Sequence, residues 1–341
     1  MKGLSVFNKL IFVLNLVFVI LLLAACAVPF LSVHFLPYLS FLSLIVPALV
    51  LVNIFFFLCW AVQGKKQFIP SLSVLILGYF ILGSFVKLNF GKEPTDKNDL
   101  KVMSYNVRKF NEMGWLQRDS IFGSIEQLIK RENPDILCFQ EVSISMGNKF
   151  LDYPYHYLMK IPTGEKVHLG VFSKYPIVAS ETINYPNSIN NGSYVDIDVQ
   201  GDTLRVFNVH MQSFGITPGT GVLRSKSSKY LIKRVVNAFK QQEDQARMVR
   251  ELIDASPYKT LLCGDFNNTQ FSKIYGILKG DMNDSFLEAG SGYGRTFKFF
   301  WIPLRIDFIL SDEHFEVIDH QNFDEKLSDH YPITATFRMR D

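Results

Sequence analysis

The sequence predicts an apolar helical region followed by an α/β domain, and three observations carry that expectation. From Leu10 to Gly64 there is no Asp, Glu, Lys or Arg, and a second uncharged run extends from Gln67 to Val86. From Leu100 to Asp341, short strand-like apolar runs alternate with amphipathic helical stretches over about 240 residues, the pattern of an α/β layer architecture. Between the two, Gly91 to Asp99 is polar, carries Pro94 and lacks periodicity, so it reads as a linker.

Crossing roughly 30 Å of hydrocarbon takes about 20 apolar residues, so the first run holds two transmembrane helices and the second holds one. They are expected at 10–28, 39–62 and 68–86, with Pro29 and Pro37 bracketing the first connection. Lys2 and Lys9 precede the first span, Lys65 and Lys66 join the second and third, and the first connection has no Lys or Arg. The positive-inside bias then puts the N-terminus in the cytoplasm. Three spans make this a multi-pass protein of the cytoplasmic membrane with its 100–341 domain extracytoplasmic, although Lys87, Lys92 and Lys97 also follow the last span. In an alternative reading, Leu23-Ala24-Ala25-Cys26 resembles a bacterial lipoprotein signal, with Cys26 as the lipidated residue.

The net charge of +3 does not mark a polyanion-binding protein. Four of the 35 basic residues lie in 1–86, where there is no acid, which leaves 31 against 32 acidic residues beyond. Attraction to an anionic substrate must come from local clusters or bound metal. The four cysteines form no Cys-X-X-Cys and no dense framework, so buried free thiols are expected.

In the domain, Ile121, Ile125, Leu128 and Ile129 share one helical face that ends before Asn133-Pro134 and suits packing on a sheet. His168 to Ser173 reads as a buried strand. Tyr194 to Val199 and Thr203 to His210 form a hairpin about Gln200-Gly201-Asp202. A Gly/Thr/Pro-rich loop, Gln212 to Gly221, leads to a long helix from Ser228 to Asp254 with Leu231, Val235, Ala238 and Phe239 on one side. Arg224, Lys226, Lys229, Lys233, Arg234 and Lys240 have no acid among them. Two readings fit, a solvated helix face and a patch for phosphates of DNA or lipid headgroups. The aromatic stretch Thr296 to Pro303 is read either as core packing or as a loop facing substrate or membrane.

The chemistry concentrates at strand ends. Leu261-Leu262-Cys263-Gly264-Asp265-Phe266-Asn267 is an apolar run that stops in a turn bearing an acid and an amide. Other strand-like segments deliver Asn106, Glu141, His210 and Asp307, and Asp329-His330 precede the final strand. Each residue alone has an ordinary explanation as a turn former, a solvated acid or a core histidine. Together they suit hydrolysis of a phosphate ester. Hard oxygen ligands hold Mg²⁺ or Mn²⁺, an acid positions or deprotonates water, and amide and imidazole donors stabilise charge at phosphorus.

In order along the chain, Ser104-Tyr105-Asn106, Gln140-Glu141, Gly170-Val171-Phe172-Ser173-Lys174-Tyr175-Pro176-Ile177, Asn208-Val209-His210, Gly264-Asp265-Phe266-Asn267, Arg305-Ile306-Asp307 and Ser328-Asp329-His330 resemble the endonuclease/exonuclease/phosphatase superfamily. The resemblance covers about Leu100 to Phe337. It implies a four-layer α/β/β/α sandwich. It also implies Glu141 as the main metal ligand, assisted by Asn106 and Asp329, with Asp265 activating the water and Asn267 orienting it or the phosphate. His330, held by Asp307, would bind the scissile phosphate, and His210 would stabilise the transition state. The resemblance further places Tyr at position 210 in the AP endonuclease branch, so His210 is similar to the DNase, sphingomyelinase and phosphatase branches. The expected function is a metal-dependent phosphoesterase, first a nuclease, alternatively a phospholipid phosphodiesterase or phosphatase. A catalytically inactive membrane-bound binding module is the third reading, with nucleic acid, a lipid headgroup and the bilayer as the corresponding partners.

Overall fold

The computed structural model describes residues 4–89, 95–112, 114–117, 120–143, 150, 152–159, 168–216, 226–300 and 302–340. Residues 91–94 of the expected linker, 217–221 of the loop after Gln212, and Arg224 lie outside them. The chain divides into two compact units: Met1–Phe85 with Asn268–Gly276, and Val86–Asn267 with Ile277–Asp341.

The first unit holds three apolar helices, α1 (Val6–Ala27), α2 (Phe41–Val62) and α3 (Ile69–Leu82). The Ser5 side chain caps α1 by accepting from the Asn8 N–H. At about 1.5 Å per residue, the 22 residues of α1 and of α2 reach about 33 Å. The 14 residues of α3 reach only about 21 Å, short of the hydrocarbon core. Among the described residues, two helices, not the expected three, are therefore long and apolar enough to cross a membrane. The third span is expected from hydropathy over 68–86, but Gly83 adopts φ 72 and ends the helix at Leu82. The three-span count behind an extracytoplasmic domain thus rests on a helix of insufficient length.

Two buried amide donors inside this unit are paired, although Asn15 Oδ1, Asn53 Oδ1 and Trp60 Nε1 have no partner among the described residues. Asn15 Nδ2 donates to Ser71 Oγ at 2.6 Å, and Asn53 Nδ2 donates to the Phe18 carbonyl at 3.1 Å. Such bonds tie helices together where apolar burial alone gives little specificity. The segment Asn268–Gly276 belongs to the same unit. Phe271 is buried with Leu22, Ala25, Val46, Leu49 and Val74, and Thr269 Oγ1 donates to the Ser43 carbonyl at 2.9 Å.

The second unit is built on two six-stranded mixed sheets flanked by helices. The strands are β1 (Leu100–Asn106), β2 (Ile136–Val142), β3 (Tyr155–Leu158), β4 (His168–Ser173), β5 (Ile177–Ile183), β6 (Gly192–Val199), β7 (Asp202–His210), β8 (Lys259–Asp265), β9 (Asn283–Asp284), β10 (Phe297–Phe299), β11 (Ile302–Leu304), β12 (Asp307–Ser311), β13 (Phe315–Asn322) and β14 (Ile333–Met339). One sheet runs β13-β14-β1-β2-β4-β3 and the other β5-β6-β7-β8-β12-β9, while β10 and β11 form a separate hairpin. β1 pairs parallel with β2 and β7 with β8; the other pairings are antiparallel.

Strand alternation sorts the apolar residues. Leu100, Val102, Ile136 and Cys138 from the first sheet pack on Leu204, Val206, Leu261, Cys263 and Ile309 of the second. On the outer face of the first sheet, Met103, Tyr105, Leu137 and Phe139 meet Ile121, Ile125, Leu128 and Ile129 of α4 (Ile121–Glu132), the face expected from their spacing. The long helix α5 (Ser228–Asp254) buries Val235, Ala238, Phe239, Ala246 and Val249. All four cysteines are free thiols; Cys26, Cys138 and Cys263 are buried, and Cys59 in α2 is half-buried.

Candidate active site

Alternation also decides where the polar strand ends go. In β1, β7, β8 and β12 the residues facing the other sheet are Val102, Leu204 and Val206, Leu261 and Cys263, and Ile309. Counting on by twos reaches Asn106, His210, Asp265 and Asp307, so these four continue the rows of the inter-sheet core at one end. Register brings them level: His210 pairs with Asp265, and Asp265 with Asp307. A buried polar layer lies one step below. Gln140 Nε2 donates to Asn208 Oδ1 at 2.7 Å, and Asn208 Nδ2 donates to the Phe139 and Gly170 carbonyls at 3.0 and 3.1 Å.

Glu141 does not follow this rule, and its placement has a separate cause. Leu137 and Phe139 face the helix side, and parity would send Glu141 there too. Instead the register of β2 against β4 shifts between Gln140 and Val142, and Glu141 has φ 52. Glu141 is the extra residue of a β-bulge, and Val142 resumes the helix-side row. The bulge turns the carboxylate to within 3.5 Å of Asn106 Nδ2 and 3.9 Å of His210 Nε2.

The remaining geometry converges on Asp265, which is 1% exposed. Its Oδ2 accepts from Asn106 Nδ2 at 3.1 Å and lies 3.5 Å from His210 Nε2 and 3.6 Å from His330 Nε2. Its Oδ1 accepts from the Asn267 N–H at 2.8 Å, and Asn267 Nδ2 donates to the Met211 carbonyl at 3.0 Å. Burial raises the Asp265 carboxyl to about 6, with the Asp307 charge adding and the two histidines opposing. For His330, burial alone would lower the imidazole, but the Asp307 and Asp265 charges and the Asp307 hydrogen bond outweigh it and lift it to about 10. Its Nδ1 donates to Asp307 at 3.0 Å. Burial lowers His210, whose Nδ1 has no hydrogen-bond partner among the described residues. One histidine is therefore held cationic and the other neutral at pH 7.

Gly264 is required by a close approach rather than by a turn. It has φ 146, and a Cβ there would fall 2.0 Å from the Val209 carbonyl oxygen on the adjoining strand. Gly264→Ala is expected to push β7 and β8 apart at the level of His210 and Asp265. Purified protein should show loss of cooperative thermal unfolding or a large fall in Tm; an unchanged Tm would show that the strands yield freely.

Two groups of residues are candidates to hold a divalent cation. Asp265, Asp307 and His330 each offer an atom within 4.8 Å of the others. His330 Nδ1 already donates to Asp307, and with its imidazole lifted to about 10 it would have to lose a proton before it could ligate a metal. Glu141, Asn106 and Asp329 supply oxygen atoms alone, and the Glu141 and Asp329 side chains are 30% and 29% exposed, within reach of an entering ion. Burial, then the Asp329 charge, raises the Glu141 carboxyl, so this acid is short of positive charge. Hard oxygen donors of this kind fit Mg²⁺ or Mn²⁺.

A family model described as Endonuclease/Exonuclease/phosphatase family matches residues 103–330. The chain belongs to this family. A second model, Domain of unknown function (DUF8431), matches residues 8–85. A DNA-(apurinic or apyrimidinic site) endonuclease of Dictyostelium discoideum is 23% identical over 187 residues, 52% of this chain and 45% of that protein. The chain thus spans less than half the length of that curated relative. Among solved structures, humanized TDP2 of D. rerio is 16% identical, with TM-score 0.55 over 71% of this chain and all of that one. The mannosyl-6-phosphatase of Bacteroides thetaiotaomicron is 18% identical, with TM-score 0.54 over 70% of this chain and all of that one. These likenesses establish the fold.

Some residues of this endonuclease/exonuclease/phosphatase domain carry no sequence signal. Arg108 Nη1 pairs with Asp329 Oδ2 at 2.8 Å, and its guanidinium lies 4.3 Å from the Trp115 ring centre. In the sequence it is one basic residue among 35. Thr296 Oγ1 accepts from the Ile306 and Asp307 N–H groups at 3.0 and 3.1 Å and so fixes the start of β12. The neighbouring Phe297 ring lies 4.8 Å from His330, which puts the aromatic stretch beside the site; Trp301 lies outside the described residues.

Proposed function

We propose that this phosphoesterase hydrolyses phosphodiester bonds of nucleic acid with the help of a divalent cation, and that its apolar helices tether it to a membrane. The observation that carries the chemistry is the convergence of Asp265, His210, Asn106 and the Asp307–His330 pair at the end of the inter-sheet core. Asp265, ionised above about pH 6, takes the proton of the attacking water. Asn106 and the Asn267 N–H hold its carboxylate in place. His330, kept cationic by Asp307, donates to a non-bridging phosphate oxygen, and neutral His210 donates from the other side. A cation held by Glu141, Asn106 and Asp329 would supply charge to the phosphate and leaving oxygens. Likeness to the Dictyostelium endonuclease supports nucleic acid as substrate. The apolar N-terminal unit favours the alternative, a phospholipid phosphodiesterase.

The test is hydrolysis by the full chain in detergent micelles with Mg²⁺ and then with EDTA, offered DNA, RNA and sphingomyelin or phosphatidyl lipids in parallel. Strand cleavage that stops with EDTA is the expected result. Headgroup release without strand cleavage would move the substrate to lipid, and no hydrolysis of any of them would favour a binding module.

A further inference from the structure

Within the basic run before the middle of α5, Lys233 and Arg234 line a concavity of about 340 Å³ together with Gln212 and Ser213, the residues that follow His210-Met211. Tyr230, Lys233, Arg234 and Gln241 form the helix side, and no acidic residue lines it among the described residues. We propose that this pocket binds a backbone phosphate of a single-stranded polynucleotide, next to the scissile one. The proposal rests on the nuclease reading above and adds a second anchoring point to it.

The walls are held in place. Gln212 donates its N–H to Gln245 Oε1 at 2.8 Å, and Arg234 Nε donates to the Phe214 carbonyl at 2.9 Å. The Phe214 and Phe239 rings pack at 5.0 Å. The fully buried Gln242 donates to both the Gln212 carbonyl at 2.6 Å and the Asn267 carbonyl at 3.2 Å. One side chain therefore joins the pocket wall to the catalytic turn, and the pocket keeps a fixed relation to Asp265.

The chemistry of the lining selects the occupant. Lys233 has no ion-pair partner among the described residues, and Arg234 keeps its terminal nitrogens beyond the one bond from Nε. Tyr230 is 46% exposed at the rim, with Lys226 Nζ 5.6 Å from its ring centre. Cations beside an aromatic face, in a concavity, fit a phosphate with a neighbouring base stacked on the ring. A surface for anionic lipid would instead pair its lysines with an apolar convex face.

The experiment measures binding of a fluorescein-labelled single-stranded 20-mer to the full chain in detergent, by anisotropy in EDTA so that catalysis plays no part. Lys233→Glu is expected to weaken binding at least about tenfold at low salt, with Lys233→Arg within about threefold of the wild type. The slope of log affinity against log salt should fall by about 0.7 for the lost single-strand phosphate contact. Equal binding by Lys233→Glu and wild type overturns the proposal. So does a Lys233→Glu variant that loses binding to phosphatidylserine vesicles with oligonucleotide binding intact, which would assign the patch to a membrane surface. Hydrolysis of bis(4-nitrophenyl) phosphate with and without Mg²⁺ reports separately on the catalytic reading, so the two can fail independently.

Discussion

Asp265→Asn is expected to lower hydrolysis by about 10³-fold or more while raising, not lowering, the thermal stability of the metal-free protein at pH 8. The loss follows from the role of the carboxylate, since a positioned general base contributes about 10²–10⁴-fold. The amide keeps the shape and can still accept the Asn267 N–H bond, but its NH₂ cannot accept from Asn106 Nδ2. The gain in stability follows from linkage. The folded-state pKa of Asp265 is raised from 3.8 to about 6. Its contribution to stability is thus full below the unfolded value of about 3.8 and is lost as pH rises through about 6. Removing the buried charge recovers at most about 3 kcal/mol at pH 8. Calorimetric scans of both proteins at pH 5 and pH 8, beside the rate measurements, check this. A variant that keeps its rate removes Asp265 from catalysis; one that melts lower at pH 8 shows that the charge is well solvated or well paired in the fold.

How far the site is legible in the sequence depends on how each residue is placed. Asn106, His210, Asp265 and Asp307 sit at the ends of apolar alternations, and a period of two sets their facing as well as their level. The hairpin about Gln200-Gly201 and the helix Ser228–Asp254 are readable for similar local reasons. Glu141 is named by the ordered motifs, but its orientation depends on a bulge against β4, and a register shift between distant strands leaves no mark at Glu141 itself. Arg108 and Thr296 act through contacts with residues elsewhere along the chain, which no local pattern encodes. Hydropathy overcounts the third span because it records composition, while Gly83 sets the helix end. The packing of Phe271 among the apolar helices is invisible for the same reason as Arg108, being a contact between segments far apart in the chain.

Glu141→Gln is expected to weaken Mg²⁺ or Mn²⁺ binding by about 10–100-fold, a loss of the size seen when support for a metal site is removed, and to lower hydrolysis accordingly. The bulge at φ 52 interrupts the β2–β4 ladder and places a carboxylate among Asn106, His210 and Asp329. Burial and the Asp329 charge both disfavour the ionised form there, and the nearby cations are His330 and Arg108. A divalent ion would relieve that imbalance directly. In its absence the variant, having one fewer half-buried negative charge, should melt no lower than the wild type. With saturating Mg²⁺ the wild type should gain in Tm and the variant should gain little, because binding to the folded state alone adds stability in proportion to RT ln(1 + [L]/Kd). Titration calorimetry with Mn²⁺ separates the two groups of candidate ligands. An unchanged Mn²⁺ affinity in Glu141→Gln would move the ion to Asp265, Asp307 and His330, and His330 would then have to give up one of its two ring protons.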